Sequence, residues 1–298
     1  MTPLDIGIVT GEKAPSLTDD GTALAAELST RGMDARPVVW SDDETDFEAL
    51  DAVMFRSCWQ YHRDPEAFRN WLDALDSTGV PAFNPTSVVR WNMHKSYLRD
   101  LADAGVDIVP TATVPTTSDR GLGTILERRD WREAVVKPAV GTSSAGVWRV
   151  SRAAAADGDI RERFAEARAD GDLLVQEYLP EIFDGERSLV FFGGEYSHAS
   201  LRMPAEDDFT ANETVEADTP DEHTIATAES ALAAARDRFG LDPTALPYAR
   251  VDGIVRDGEF LLSELELIEP FLGLERSPGA VERFADAVEA ALDASNTA

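Results

Sequence analysis

Lysine is almost absent from this chain. Of its 27 basic residues only Lys13, Lys95 and Lys137 are lysines, so each lysine position invites a chemical reading. Lys137 closes the apolar run Val135-Val136, and a small-residue stretch with two glycines, Gly141-Thr142-Ser143-Ser144-Ala145-Gly146, follows shortly after. A strand that carries a lysine into such a loop can bring backbone N–H groups against phosphate oxygens, with a point charge beside them. No Gly-Lys-Ser/Thr ends the loop and a strand follows it, so it is not a Walker loop. Taken alone, the pattern also describes a plain hairpin loop with an incidental lysine.

A second constellation lies near the C-terminus. In Arg250-Val251-Asp252 and Glu264-Leu265-Glu266, period-two alternation puts each charged pair on one face of its strand. Asp257-Gly258 between them is a strong hairpin signal. Three carboxylates and an arginine on paired strands are costly to bury without counter-charge. Magnesium ions bridging nucleotide phosphates would offset that cost. In so acidic a chain the solvent face of a sheet is the competing reading, but Leu261, Leu262, Leu265, Leu267 and Ile268 argue for a buried strand. A third segment, Leu173 to Leu179, is a strand stopped by Pro180, whose freed backbone groups would suit the edge of a base.

These residues need elements to hold them. Strands are expected over 4–10, 35–40 and 51–56, with helices over 20–31 and 65–76, an order that predicts an open α/β domain. A helix is expected to open at Arg90-Trp91 and run to Gly105, carrying Lys95. Strands over 134–138, 147–151 and 173–178 would form a small sheet. Strands over 187–192 and 196–202 would pair through Gly193-Gly194, and 249–256 would pair with 259–267. Helices are expected over 222–239 and 278–293, and the acidic stretch 204–222 reads as a flexible loop.

Composition narrows the function classes. The formal charge of −29 argues against nucleic-acid and anionic-membrane partners. Acid spread over the whole chain suggests a protein adapted to high salt, that is, from a halophile. No apolar run reaches membrane-spanning length, no secretory signal opens the chain, and one cysteine, Cys58, forms no disulfide framework, so a cytoplasmic location is expected. The four histidines lack metal-ligand spacing, although His198 and Arg202 would share a strand face and could line an acceptor pocket.

The order of the pieces resembles the ATP-grasp superfamily, in the branch that holds bacterial glutathione synthetase and the cycloserine-forming ligase. Arg56-Ser57-Cys58-Trp59-Gln60-Tyr61-His62, Gly185-Glu186-Arg187-Ser188-Leu189 and Glu264-Leu265-Glu266-Leu267-Ile268-Glu269-Pro270 support it. The resemblance implies an α/β (α+β) ATP-grasp fold. It would have an N-terminal open α/β pre-ATP-grasp domain (1–90), a small central α/β subdomain (91–180) and a C-terminal antiparallel-sheet subdomain (181–298). It implies that Lys95 and Lys137 contact ATP phosphates under a closing loop of Gly141, Thr142, Ser143, Ser144 and Gly146. Gln176, Glu177, Tyr178 and Leu179 would line the adenine site, Glu177 and Leu179 through backbone groups, and Glu186 would bind the ribose. Asp252, Glu264 and Glu266 would hold two magnesium ions, with manganese as an alternative, while Arg250 would stabilise an acyl-phosphate and the tetrahedral intermediate. Arg187, Arg202 and Asn212 would face the substrates.

The implied activity is an ADP-forming carboxylate–amine ligase acting on small amino-acid-like or peptide substrates, with a homodimer as the assembly to test. A nucleotide-binding protein without ligase activity and a small-molecule kinase are the rival readings. Two departures bear on the substrate. Glutathione synthetases carry asparagine where this chain has Glu266. Their substrate loop also has an arginine and a glycine-rich stretch where this chain reads Phe209-Thr210-Ala211-Asn212-Glu213-Thr214. The Arg56–His62 segment could bind one substrate or form a structural corner around Trp59.

Overall fold

The structure, a computed structural model, describes residues 3–42, 45–142, 144–205 and 208–295, without the side chains of 208–213. It is a mixed α/β molecule built on three sheets. Strands β1 (Leu4–Thr10), β2 (Met33–Val39), β3 (Ala52–Ser57) and β4 (Ala82–Phe83) pair in parallel in the order β2-β1-β3-β4. Parallel strands are covered on both faces, and alternation shows how. Val9, Val53 and Phe55 share a core with Phe68, Leu72 and Leu75 of helix α2 (Pro65–Thr78). Ile6, Ala52 and Met54 belong to the core that includes Leu24 and Leu28 of helix α1 (Asp19–Thr30). Helix α2 starts where the sequence suggested, with Pro65 in its first turn and the Asp64 carboxylate accepting from the Ala67 N–H.

The expected helix from Arg90 to Gly105 is two helices, α3 (Thr86–Asn92) and α4 (Tyr97–Asp103). Lys95 therefore sits in the turn between them rather than on a helix. The cause is local: the Lys95 N–H donates to Ala139 O (2.7 Å), leaving the helical ladder for the loop of the next sheet. Both helices pack on the third sheet, where Val88, Tyr97, Leu98 and Leu101 meet Leu189, Val251 and Leu265.

The second sheet joins β5 (Thr111–Val114), β6 (Glu133–Pro138), β7 (Trp148–Ser151) and β8 (Leu173–Glu177), all neighbours antiparallel, in the order β5-β8-β6-β7. Helices α5 (Leu122–Arg129) and α6 (Gly158–Asp170) cover it, with Leu126 and Phe164 in the core beside Val136 and Trp148. Neither helix, nor β5, stood out in the sequence. Helix α6 buries only Phe164, so it has no apolar stripe to detect.

The third sheet is antiparallel, in the order β11-β10-β9-β12-β13: β9 (Glu186–Phe192), β10 (Glu195–Ala205), β11 (Asp208–Asp218), β12 (Ala249–Arg256) and β13 (Glu259–Glu266). Helix α7 (Glu222–Phe239) matches the expected range, and α8 (Ala280–Ser295) closes the chain. The acidic stretch expected as a flexible loop instead contains β11, paired with β10 from Ala199–Asp218 to Ala205–Asp208. Its acid content masked alternating Thr214, Glu216 and Asp218 on an edge strand, where charge guards against unwanted pairing. Among the described residues no helix is long and apolar enough to cross a membrane.

The irregular segment after β13 ties the first and third sheets together. From Leu267 to Leu272 every carbonyl lies within hydrogen-bond reach of a side chain from elsewhere: Asn84, Tyr248, Trp59, Arg56, Arg250 and His198 in turn, at 2.6–3.0 Å. Asp20 then accepts from the N–H groups of Gly273 and Leu274. Such backbone could not otherwise be buried, because each unpaired carbonyl carries a desolvation cost. Tyr248 is wholly buried and its hydroxyl also reaches Phe55 O at 2.6 Å, so its one proton serves both sheets. Tyr248→Phe should lower unfolding free energy by about 1–3 kcal/mol, read from denaturant midpoints; a change within error would remove this tie from the fold's stabilising contacts.

Candidate active site

A cleft of about 440 Å³ opens between the second and third sheets, within the range of about 300–1,000 Å³ usual for small-ligand sites. One wall is β6, the loop after it and the end of β8. The other is the inward face of β9, β10, β12 and β13. Lys95 reaches in from the α3–α4 turn.

The β6–β7 loop is shaped for close approach. Ser144 and Gly146 take positive φ values of 55° and 76°, and a Cβ on Gly146 would stand 3.0 Å from the Pro138 ring. Gly141, Thr142 and Ser144 line the cleft, while Gly146 shapes the turn without lining it. Ser143 lies outside the described residues. The loop is anchored at two points. Lys95 Nζ donates to Gly141 O (3.0 Å), and Thr142 Oγ1 meets both Trp59 O and His62 Nδ1 at 2.9 Å. The Arg56–His62 segment is thus a structural corner that also holds the loop, with Trp59 and Tyr61 facing the cleft. Burial pushes the Cys58 thiol well up, which suits a packed side chain rather than a nucleophile.

Strand register brings the four charged hairpin residues together. Arg250 pairs across with Glu266 and Asp252 with Glu264, before a bulge at Gly253. Only glycine fits there, because a Cβ would fall 2.3 Å from the Phe260 ring. The Arg250 guanidinium grips Asp252 through Nε (2.9 Å) and Nη2 (2.9 Å), bonds Glu266 and donates to Phe271 O. Arg202 joins from β10, 3.2 Å from Asp252 and 2.8 Å from Glu186. Lys95 Nζ meets Glu264 Oε1 at 2.5 Å.

The competition between burial and charge differs at each carboxylate. Burial would raise Asp252, but Arg250 and Arg202 outweigh it and hold the carboxyl below its ordinary range. Glu264 is likewise lowered, against burial, by Lys95 and Lys137. Glu266 is raised from the ordinary 4.5 to about 7, by burial first, because its share of Arg250 is opposed by Asp252 and Glu264. Its side chain keeps 28% of its surface toward the cleft, where water moderates the effect. Lys137 is pushed down, mainly by burial and also by Lys95, against the pull of Glu264. Among the described residues its ammonium has no hydrogen-bond or ion-pair partner, although only 9% of the residue is exposed and it lines the cleft.

At the other end, Gln176, Glu177, Tyr178 and Leu179 all line the cleft. Glu177 gives its N–H to Pro110 O (2.9 Å) and its carboxylate to Arg256 (3.2 Å), whereas the Leu179 N–H has no partner among the described residues. Glu186 accepts from Ser263 Oγ (2.6 Å) as well as from Arg202.

Two expected substrate contacts fall elsewhere. Arg187 points to the opposite face of β9 from Glu186 and pairs with Asp218. His198 is taken by Leu272 O (2.8 Å) and does not line the cleft, although Arg202 does. The Asn212 side chain lies outside the described residues. Sequence reasoning passed over Ser263 and Glu269, both of which line the cleft. Alternation from Glu264 would have placed Ser263 on the opposite face; the bulge at Gly253 is the irregularity it overlooked.

Comparison with known proteins agrees with this geometry. Residues 6–84 match the family described as D-cycloserine synthetase DcsG, N-terminal domain, and residues 104–238 match the prokaryotic glutathione synthetase ATP-grasp domain. The cycloserine biosynthesis protein DcsG of Streptomyces lavendulae is 33% identical over 299 residues, covering 95% of this chain and 97% of its own. The chain belongs to the ATP-grasp ligases. It is accordingly an ATP-dependent, ADP-forming enzyme of carbon–nitrogen bond formation. The crystal structure of D-cycloserine synthetase DcsG superposes with a TM-score of 0.88, at 33% identity, over 97% of this chain and 99% of that one. The ATP-grasp ligase PsnB, solved with a minimal precursor, Mg and ADP, shares the fold at 18% identity and a TM-score of 0.64, over 98% and 99% of the two chains.

Within this ATP-grasp ligase, Glu266 makes the charge balance of the cleft pH-dependent. Its folded pKa lies above the unfolded value, so its contribution to stability is complete below about 4.5 and lost as pH rises through about 7. In chelator-treated protein the denaturation midpoint should therefore fall between pH 5 and 8. Glu266→Gln should reduce that slope; an unchanged slope would refute the assignment.

Proposed function

We propose that this ligase activates a small carboxylate as an acyl phosphate and delivers it to an amine, with ATP bound across the cleft. The observation that carries the reading is Lys137, a buried ammonium without a hydrogen-bond or ion-pair partner among the described residues, beside a loop of small residues. An unpaired buried charge is costly, and a phosphate is the counter-ion it lacks. Lys95, already bridging Gly141 O and Glu264, would share the phosphate charge and hold the loop at its closing position. The adenine edge would meet the free Leu179 N–H, and Glu186 would accept from the ribose once Arg202 or Ser263 releases it.

Asp252, Glu264 and Glu266 suit magnesium, as hard oxygen donors at the phosphate end of the cleft. Among the described residues no ready-made cluster of three metal-ligating side chains exists, since each carboxylate is held by a cation. The fit is chemical: Glu266 is a carboxyl short of positive charge, and a divalent ion supplies it. Two magnesium ions would neutralise the transferred phosphoryl group and the leaving ADP. Arg250, fixed by Asp252 and Phe271 O, is pre-oriented beside the reacting carboxyl, where charge develops as the amine attacks.

The dispersed acid of the surface is proposed to suit a salt-rich cytoplasm, so activity should rise or hold steady as KCl approaches molar concentration; steep loss would refute it. Lys137→Ala should cut carboxylate-dependent ADP release at least about 100-fold with an unchanged circular dichroism spectrum. With the wild type, hydroxylamine should trap a hydroxamate in the presence of ATP and the carboxylate. A near-normal rate in the variant would sink the phosphate assignment, and ADP release without any hydroxamate would sink the acyl-phosphate step.

A further inference from the structure

Glu269 has no role in the site as described. Its backbone is pinned on both sides, Ile268 O by the Tyr248 hydroxyl (2.9 Å), and Glu269 O by Trp59 Nε1 (3.0 Å) with Pro270 O by Arg56 Nη2 (2.9 Å). Its side chain faces the cleft, yet the residue is only 7% exposed and Oε2 is buried without a hydrogen-bond partner. The nearby Arg56 guanidinium lies over the Tyr248 ring at 5.1 Å and the Phe284 ring at 5.5 Å; it eases the Glu269 charge at a distance but makes no hydrogen bond to it, and its own Nη1 is also left without a partner among the described residues. Burial raises the Glu269 carboxyl well above its usual range, reinforced by Glu266 and eased only in part by Lys95.

The position within the cleft narrows what this acceptor meets. Glu269 lies three residues beyond Glu266 and lines the same cleft as Trp59, Tyr61 and Phe271, with its carbonyl held by the Trp59 indole. Arg250 is anchored on the same segment, through Phe271 O, so a molecule whose carboxyl meets Arg250 has Glu269 as a neighbour in the cleft. A carboxyl with an unpartnered buried oxygen, in a cleft also lined by aromatic rings, is the complement of a compact cation with N–H donors. A neutral acceptor such as a carbonyl, or another anion, would leave it worse off in a region that already holds Glu264 and Glu266.

We propose that Glu269 binds the ammonium group of the substrate and so selects an amino acid over the corresponding hydroxy acid. The inference rests on the ligase reading of the cleft. A site that offers a buried charged partner rejects an analogue lacking the donor, because the partner is then left unpaired. Glu269→Gln keeps the shape and removes the charge.

The test measures binding to the wild type and Glu269→Gln in the presence of a non-hydrolysable ATP analogue and magnesium. The probes are alanine and lactate, then serine and glycerate, each as both enantiomers. At least one amino member should bind the wild type about tenfold or more tighter than its hydroxy partner, and the variant should reduce that preference to near unity with ATP affinity unchanged. A second measurement needs no variant: the trimethylammonium derivative of the preferred amino acid, which keeps the charge but cannot donate, should lose the advantage. A wild type without amino preference, or a variant that retains it, overturns the proposal. Failure of the ligase reading has a different signature: Glu269-dependent amino-acid binding with no ADP release from ATP.

Discussion

Six consecutive carbonyls, from Leu267 to Leu272, depend on six side chains drawn from four other places in the chain. Neither helix nor sheet satisfies this backbone, and yet it is buried at the junction of the first and third sheets. The solution explains why otherwise scattered polar residues are where they are. Asn84 ends the first sheet and also bonds Tyr248 O. Arg56 sits at the end of β3 with two aromatic rings beneath it. Arg250 couples the same segment to the charged hairpin, so the element that holds the chemistry is fixed by the element that joins the domains.

The charged cluster is not there for stability. Pairs such as Arg250–Asp252 recover little more than the cost of burying them, and an apolar replacement of similar volume would often be as stable. What they provide is orientation at a place where phosphate and metal charge are to be received. The unequal outcome along the cluster makes the point: Asp252 and Glu264 are held ionised, while Glu266 is left short of positive charge and Lys137 short of negative. An internally complete network would have no capacity left for a ligand.

Much of this was legible in the sequence where local pattern and tertiary structure agree. The hairpin at Asp257-Gly258 and the β6–β7 loop were visible because turn chemistry and alternation mark them directly, and α7 matched its periodic run. Lys95 was found as a residue but misplaced on a helix, since the interaction that breaks the helix is with Ala139, distant in sequence. Strand β11 was hidden because acidic edge residues mimic a solvated loop. The resemblance implied a substrate contact for Arg187, but adjacent residues on a strand face opposite ways, so with Glu186 turned into the cleft Arg187 turns outward to Asp218. Glu269 gave no signal, because only the path of an irregular segment turns its side chain inward.

Helix α8 shares one core with strand β1 and helix α1: Ile6, Leu24 and Leu28 belong with Phe284, Val288 and Leu292, and Arg31 reaches Asp286 and Glu289. Helix α8 thus completes, together with α1, the core on one face of the first sheet. During synthesis α1 can pack on that face early, but the part of the shared core that α8 supplies is missing until residues 280–295 have emerged. A sheet begun at residue 4 is therefore finished by a helix that lies beyond both of the other sheets in the chain.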